Sequence, residues 1–266
     1  VLTCIGNAFA ARVGASLLGA LDMQELIAAN LADYEEAAVK LASNPAMFSG
    51  LKQKLAAKRQ TSDLFSGKAF AARHAEAVFV NGHNKDLVRE SVTALRQAAV
   101  DAGRKPGDIK IILGVSVVPG CTEAEARDKD ADYRRYASPE AGLAHFSAST
   151  GIDFAQYGLD DPVPYGETNA IQSAVATARR LGWTKRKLLE QYALGGRYPA
   201  IVGDAVQVAD ALQAWVDDTG IDGFNLTRTV VPESFEDFAD IVVPELQSRG
   251  LHKTAYADGS LRHKLF

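Results

Sequence analysis

The sequence predicts an α/β protein in which a helical N-terminal segment precedes a parallel sheet. After residue 75, short β-branched runs alternate with longer helical patterns, whereas helical spacing dominates before residue 66. Strands and helices that alternate in this way usually form a parallel sheet with right-handed crossovers. The 266 residues, 47% of them hydrophobic, suffice to bury a sizeable core.

In the N-terminal segment, apolar residues recur at helical spacing over residues 22–43 and predict one amphipathic helix. Asn44-Pro45 ends this run, and a proline is well suited to the first turn of a second helix. We expect residues 45–65 to continue as helix. Residues 1–65 should therefore add no strand to the main sheet.

After this segment, the pattern predicts four strands and five helices. The strands are residues 75–80, 109–118, 200–203 and 221–226. The helices are residues 86–102, 122–135, 168–181, 204–218 and 234–248. Residues 137–165 are rich in glycine and proline and too long for an ordinary α/β connection, so we predict a functional insertion or lid there.

Composition excludes several classes of function. The net charge of -4 comes from 29 basic and 33 acidic residues spread along the chain, which disfavours nucleic acid as a partner. Cys4 and Cys121 are too far apart for a metal cluster or a disulfide framework, and we expect both to be buried. The histidines outside position 145 lack metal-ligand spacing, and we expect solvated or structural roles for them. No apolar run or signal peptide predicts contact with a membrane, so we expect a cytoplasmic protein.

Four stretches of the N-terminal segment carry a first resemblance. They are VLTCIGNAFAARVGASLL from Val1, ELIAAN from Glu25, YEEAAVKL from Tyr34 and RQTSDLF from Arg59. Residues 1–65 resemble the C-terminal end of bacterial O-linked N-acetylglucosamine transferases. In that family the nucleotide-sugar site is built largely upstream of this segment. The resemblance therefore implies ordinary turn roles for Gly6, Asn7 and Arg12.

Separated motifs in the rest of the chain carry a second resemblance. They are GKAFAARHAEAVF from Gly67, FSASTGIDF from Phe146, DGFNL from Asp222, SFEDFADIVVPEL from Ser234 and GSLRHKLF from Gly259. Residues 66–266 resemble the C-terminal half of the luciferase-like monooxygenases that act on nitrilotriacetate, sulfones and long alkanes. The resemblance implies two domains, residues 1–65 and 66–266. The second would be a partial (β/α)₈ (TIM) barrel preceded by the short helical segment.

The second resemblance also implies site residues at the carboxyl ends of the barrel strands. Phe79 would wall the pocket for flavin and substrate, although a core phenylalanine is the alternative. His145 would be the catalytic residue near the reactive edge of the flavin, where it could exchange a proton, although a surface histidine is the alternative. Val202 and Gly203 would offer backbone contacts to the flavin.

The activity implied is that of a flavin-dependent monooxygenase. A partner flavin reductase would supply reduced FMN, and a small organic compound would be the substrate. The family's Gly-Ser-Ser-like phosphate loop is replaced here by residues 61–66, and the first barrel strands are missing. We therefore expect weak FMN binding, open sheet edges that favour a homo-oligomer or aggregate, and an incomplete or inactive fragment.

Two alternatives stay open at the sequence level. The chain could be the remnant of an O-GlcNAc-type glycosyltransferase, in which case a uridine nucleotide should bind. It could also be a rearranged reading frame without evolved function, in which case neither flavin nor nucleotide should be processed. Whether the chain is an active enzyme is therefore uncertain from the sequence.

Overall fold

The computed structural model describes residues 2–6, 9–164, 170–194 and 196–265, which fall into two units. The first unit comprises Val1–Glu76 with Leu95–Pro106, and the second comprises Ala77–Ala94 with Gly107–Phe266. This division follows packing within the chain. The boundary predicted from the sequence at residue 65 separates the two family resemblances, and it stays a prediction.

The first unit is mainly helical. Its elements are β1 (Thr3–Cys4), α1 (Phe9–Ala20), β2 (Ile27–Ala28), α2 (Leu31–Ser43), α3 (Pro45–Thr61) and α4 (Gly67–His74). Strands β1 and β2 pair in parallel and form a separate two-stranded sheet. In the described part of residues 1–65, no segment joins the four-stranded sheet, as the sequence predicted. The core of this unit is built from Leu18, Leu21, Met23 and Leu26.

The helix predicted over residues 22–43 begins only at Leu31, so the prediction is wrong for residues 22–30. A 3₁₀ turn, Gln24–Leu26, and strand β2 occupy that stretch. The reason is the cap: the Asn30 side chain accepts a hydrogen bond from the Asp33 amide at 2.9 Å and starts the helix there. The second helix is confirmed, because Asn44 caps α3 through the Met47 amide at 3.0 Å.

The second unit contains a parallel sheet of four strands, all of which the sequence predicted. They are β3 (Ala77–Val80), β4 (Lys110–Pro119), β5 (Ala200–Gly203) and β6 (Gly223–Thr227). Each of the other three strands pairs with β4. Strand β4 is almost continuously buried, as strands covered on both faces usually are.

The register shows how three strands share β4. Ser116 pairs with Ala200 of β5 and with Thr227 of β6, so these two strands lie on opposite edges of β4. Leu113 pairs with Val80 of β3 and with Phe224 of β6, so β3 also lies opposite β6. Strands β3 and β5 therefore follow one another along the same edge. The sheet does not close into a barrel within the part of the chain that the structure describes.

Nine helices of the described residues follow or connect these strands, and α6, α10 and α11 contact the sheet. They are α5 (Lys85–Asp101), α6 (Glu123–Tyr136), α7 (Pro139–Thr150), α8 (Gln172–Arg180), α9 (Lys185–Tyr192), α10 (Ala205–Thr219), α11 (Glu233–Asp237), α12 (Val243–Ser248) and α13 (Leu261–Leu265). The last turns of α5 fall in the first unit. A π-helical turn, Phe238–Val242, interrupts the helix predicted over residues 234–248. In the described ranges, no helix is long and apolar enough to span a bilayer.

The stretch over residues 137–165, predicted to be a functional insertion or lid, contains helices where the structure describes it, and its function stays a prediction. The stretch folds as α7 and a 3₁₀ turn, Phe154–Gln156. Its side chains form a core of their own with α8 and α9, built from Leu143, Phe146, Ile152, Phe154, Val163, Val175, Ala178, Leu188 and Tyr192. Pro139 lies in the first turn of α7, directly after Ser138, whose side chain caps the helix. This proline therefore begins a helix and does not mark a loop. Helix α9 was not predicted, and residue 165 lies outside the described residues.

Gly114 in the middle of β4 allows the Tyr198 ring to lie directly against the strand. A Cβ atom at this position would stand 2.1 Å from Tyr198 Cδ1. We expect Gly114→Ala to lower the free energy of unfolding by about 1–3 kcal/mol, the usual cost of overpacking. Urea denaturation measures this, with Gly107→Ala as the control because its Cβ would meet nothing within 4 Å. Equal losses in the two variants would contradict the packing argument.

Candidate functional site

A cavity of about 340 Å³ lies at the carboxyl end of β3. Its wall combines the residues that follow β3, part of α8, and the aromatic side chains Trp183 and Tyr192. Arg197, shortly before β5, completes the wall. Ligands of open α/β sheets usually bind at this end of the strands, so we call this cavity the β3 cleft and treat it as the candidate site.

Arg197 is the one charged side chain among the described residues that line the β3 cleft. It is half-buried, and its Nη2 donates a hydrogen bond to Ser149 Oγ at 2.9 Å. No carboxylate stands among the described lining residues. Among the described lining residues, the formal charge is therefore positive.

His83 is the second polar group of the β3 cleft. Its Nδ1 lies 3.2 Å from Gln191 Nε2, and its ring centroid lies 5.8 Å from that of Trp183. It also has hydrogen bonds with the backbone of Gly196 and Tyr198. Burial lowers the pKa of His83, and the nearby charge of Lys187 lowers it further. The lowered pKa favours the neutral imidazole at neutral pH, and the solvated or structural role expected for this histidine stays a prediction.

Local packing explains why the chain brings Arg197 to this cleft. A Cβ atom at Gly196 would stand 1.6 Å from the Gln191 carbonyl oxygen, so only glycine permits the segment to close against α9. On the other side of Arg197, the Tyr198 ring lies against Gly114. The two neighbours of Arg197 are thus both held in place.

The structure places the predicted site residues in different regions. Phe79 lines the β3 cleft with 67% of its surface exposed. His145 lies exposed on α7, and it is not among the described lining residues of the cleft. Val202 and Gly203 end β5 and do not line it either. The proposed roles of these four residues stay predictions.

The N-terminus of α10, the helix that follows Gly203, is already capped by side chains of the protein. The Asp204 side chain accepts from the Gln207 amide at 2.9 Å, and the Gln207 side chain accepts from the Asp204 amide at 3.1 Å. A phosphate bound here would have to displace a carboxylate of the chain itself. The geometry at Gly203 therefore favours a neutral group over a phosphate.

Sequence reasoning missed Trp183, Tyr192 and Arg197. The only available signal was the Gly-Arg-Tyr run before β5. Trp183 lies in the turn before α9 and Tyr192 ends that helix, and the sequence did not predict how α9 packs. Cys121 was expected to be buried but is exposed, since it follows β4 at the surface, and its amide donates to Glu125 Oε2 at 3.0 Å. Within the described ranges, no group of three or more His, Cys, Asp or Glu residues could hold a metal ion.

A second cavity, of about 450 Å³, lies between β6 and α10. Its wall is mostly apolar and includes Val115, Leu212, Phe224 and Phe238. It contains none of the predicted site residues. We therefore place the candidate chemistry at the β3 cleft, despite the larger volume of the second cavity.

Comparison with known proteins gives two family matches. A family model described as luciferase-like monooxygenase matches residues 66–223, and one described as glycosyl transferase family 41 matches residues 1–74. The chain is 38% identical over 203 residues to dimethyl-sulfide monooxygenase of Hyphomicrobium sulfonivorans, which covers 75% of this chain and 42% of that protein. Long-chain alkane monooxygenase of Geobacillus thermodenitrificans is 36% identical over 200 residues, with the same coverage of 75% and 42%.

Solved structures show the same partial coverage. The crystal structure of DmoA from Hyphomicrobium sulfonivorans has a TM-score of 0.65 at 39% identity, over 75% of this chain and 43% of that one. Riboflavin lyase, solved with a modified FMN and its substrate riboflavin, has a TM-score of 0.69 at 32% identity, over 75% and 44%. The chain therefore spans less than half the length of these relatives.

The lowered pKa of His83 makes stability depend on pH. The unfolded chain takes up this proton near pH 6.5, whereas the folded chain takes it up at lower pH. The free energy of unfolding should therefore fall as the pH falls from 7.5 to 5.5. We expect His83→Gln to reduce this loss, measured as the melting temperature at both pH values. The exposed His252→Gln is the control, and an equal pH dependence in His83→Gln and wild type would contradict the prediction.

Proposed function

Because the chain belongs to the luciferase-like monooxygenase family through residues 66–223, we propose that it carries part of the site of an FMN-dependent monooxygenase. The observation that supports this most is the aromatic-walled β3 cleft. It lies at the carboxyl end of a parallel strand and includes Phe79, the residue that the resemblance assigned to the flavin pocket. Its volume, about 340 Å³, is at the lower end of the usual range for small-molecule sites.

The lining residues fit one face of a flavin. Phe79 and Trp183 present aromatic surface to the cleft, which suits a planar ring system. His83 already has hydrogen-bond partners in Gln191 and in the backbone of Gly196 and Tyr198, so it shapes the wall of the cleft. When bound, reduced FMN would supply the oxygen chemistry, while the protein residues orient it and exclude water.

The partners follow from the family. We propose that a separate flavin reductase supplies the reduced FMN and that the substrate is a small organic compound. The names of the two relatives above, which act on dimethyl sulfide and long-chain alkanes, support a substrate of this class. A cytoplasmic location remains part of the proposal, supported by the free state of Cys4 and Cys121.

We also propose that FMN binds weakly and that turnover is low or absent. Two hydroxyls of the stretch that replaces the family's phosphate loop accept hydrogen bonds from the backbone of the first unit. Ser62 Oγ accepts from the Leu64 amide at 3.3 Å, and Ser66 Oγ accepts from the Ala69 amide at 3.2 Å to cap α4. Each missing charge-assisted contact to a phosphate removes roughly 1.5–3 kcal/mol of binding free energy.

A glycosyltransferase remnant is the second candidate, and the match to residues 1–74 favours it. Saturable binding of a uridine nucleotide would support this candidate over the first. A chain without evolved function would bind neither ligand.

Flavin binding tests the proposal through Phe79. Titration followed by FMN fluorescence should show no saturation in the low micromolar range but a weaker, measurable affinity. Phe79→Ala should weaken that affinity about fivefold, because an aromatic contact contributes about 1 kcal/mol. Tyr136→Ala, which removes an exposed ring outside the cleft, is the control. Low-micromolar saturation, or no effect of Phe79→Ala, would count against the proposal. His145→Ala should change nothing, because His145 does not line the cleft.

Self-association tests the proposed homo-oligomer. In the described part of the chain, β3 and β6 each have β4 as their one sheet neighbour, and open strand edges promote pairing between chains. We expect light scattering at tens of micromolar to show dimers or larger species. Asn225→Lys, at an exposed position of β6, should reduce association more than Gln156→Lys, which adds the same charge elsewhere. A monomer that melts cooperatively at that concentration would refute the prediction.

A further inference from the structure

We propose that Arg197 forms an anion-binding subsite in the β3 cleft, which takes a carboxylate, sulfonate, sulfate or phosphate group. The subsite deepens the proposed function, on which its relevance to flavin or substrate binding rests. Its existence depends only on the charge and packing of the cleft, and it can be tested without flavin.

Arg197 differs in its pairing from the exposed Arg180 and Arg186 of the second unit. Arg180 is paired with Glu90, and Arg186 with Asp160. Arg197, half-buried, has only the neutral hydroxyl of Ser149 as its hydrogen-bond partner among the described residues. A guanidinium stays charged at all relevant pH values, and removing it from water without a counter-charge is unfavourable. An anionic group in the cleft would offset this cost.

The subsite is held in shape before a ligand arrives. His83 has hydrogen bonds with the backbone of Gly196 and Tyr198, the two neighbours of Arg197. Gly196 is closed against α9, and the Tyr198 ring is closed against Gly114. Because the segment is fixed at both sides, less conformational entropy is lost when the guanidinium binds a ligand. His83 is therefore a positioning residue for Arg197.

Neutral donors can complete the coordination of an anion. Ser173 and Thr177 of α8 line the same cavity as Arg197. Tyr192 lines it as well, and burial raises the pKa of its hydroxyl, which therefore remains a donor at neutral pH. One cation with several neutral donors suits a monovalent or divalent oxyanion, and the absence of a carboxylate from the described lining residues leaves nothing there to repel it.

The first experiment titrates the full chain with sodium sulfate at constant ionic strength, followed by calorimetry. We expect saturable binding with a dissociation constant in the millimolar range. Arg197→Gln should weaken it at least tenfold, and Arg197→Lys should give an intermediate value because an ammonium lacks the planar fork. Arg180→Gln removes the same charge from an exposed pair and should stay within twofold of wild type. Sulfate binding that does not saturate, or equal effects of Arg197→Gln and Arg180→Gln, would overturn the subsite.

The second experiment separates two sources of the anionic group. If the subsite holds the flavin phosphate, Arg197→Gln should weaken FMN binding but not riboflavin binding. If it holds a substrate group, both flavins should bind as before, and methanesulfonate should compete with sulfate in the wild type. Competition by neither FMN nor methanesulfonate would overturn the assignment to a ligand. Loss of all flavin binding alongside intact sulfate binding would refute the proposed function and leave the subsite standing.

The positioning role of His83 has its own readout. His83→Phe should weaken sulfate binding several-fold, and His83→Gln should restore part of the loss because an amide can keep one of the hydrogen bonds. In the Arg197→Gln background, His83→Phe should have no further effect, since the two residues act through one interaction. Unchanged sulfate affinity in His83→Phe, or additive losses in the double variant, would overturn the positioning role.

Discussion

Strand β4 holds the second unit together through its backbone pairing. Its two edges provide the hydrogen-bond partners for β3, β5 and β6, and Ile111, Leu113, Val115 and Val117 are at most 1% exposed. A buried backbone must satisfy its amides and carbonyls within the chain, so a strand in this position fixes the place of its neighbours. A change inside β4 therefore affects every other strand of the sheet.

The candidate site is a consequence of this pairing. Strand β3 ends opposite Leu113, and β5 begins opposite Ser116 on the same edge of β4. The residues that follow β3 and those that precede β5 must therefore meet beside positions 114 and 115. At this point His83 contacts the backbone on both sides of Arg197. The Tyr198 ring also packs here against Gly114, which leaves space for it because glycine has no side chain. The residues that line the cleft thus meet because β3 and β5 pair with successive segments of the same edge of β4.

The two family matches meet in a short stretch of the first unit, where both cover residues 66–74. Helix α3 ends at Thr61, shortly before this stretch, and Ser66 caps α4 at its start. On the function proposed above, the aromatic and cationic residues of the β3 cleft in the second unit would recognise the flavin.

The sequence by itself determined the four strands of the main sheet, the start of α3 at Asn44-Pro45 and the luciferase-like ancestry. These features depend on local patterns: β-branched runs, a capping residue with proline, and motifs in a fixed order. The tertiary structure decided the rest. Only packing showed that the glycine- and proline-rich stretch after residue 137 folds as α7 around Phe146 and Phe154, because these signals mark helix ends as well as loops. Likewise, Trp183, Tyr192 and Arg197 meet Phe79 through α8, α9 and the register of β5, which are long-range contacts that periodicity does not encode.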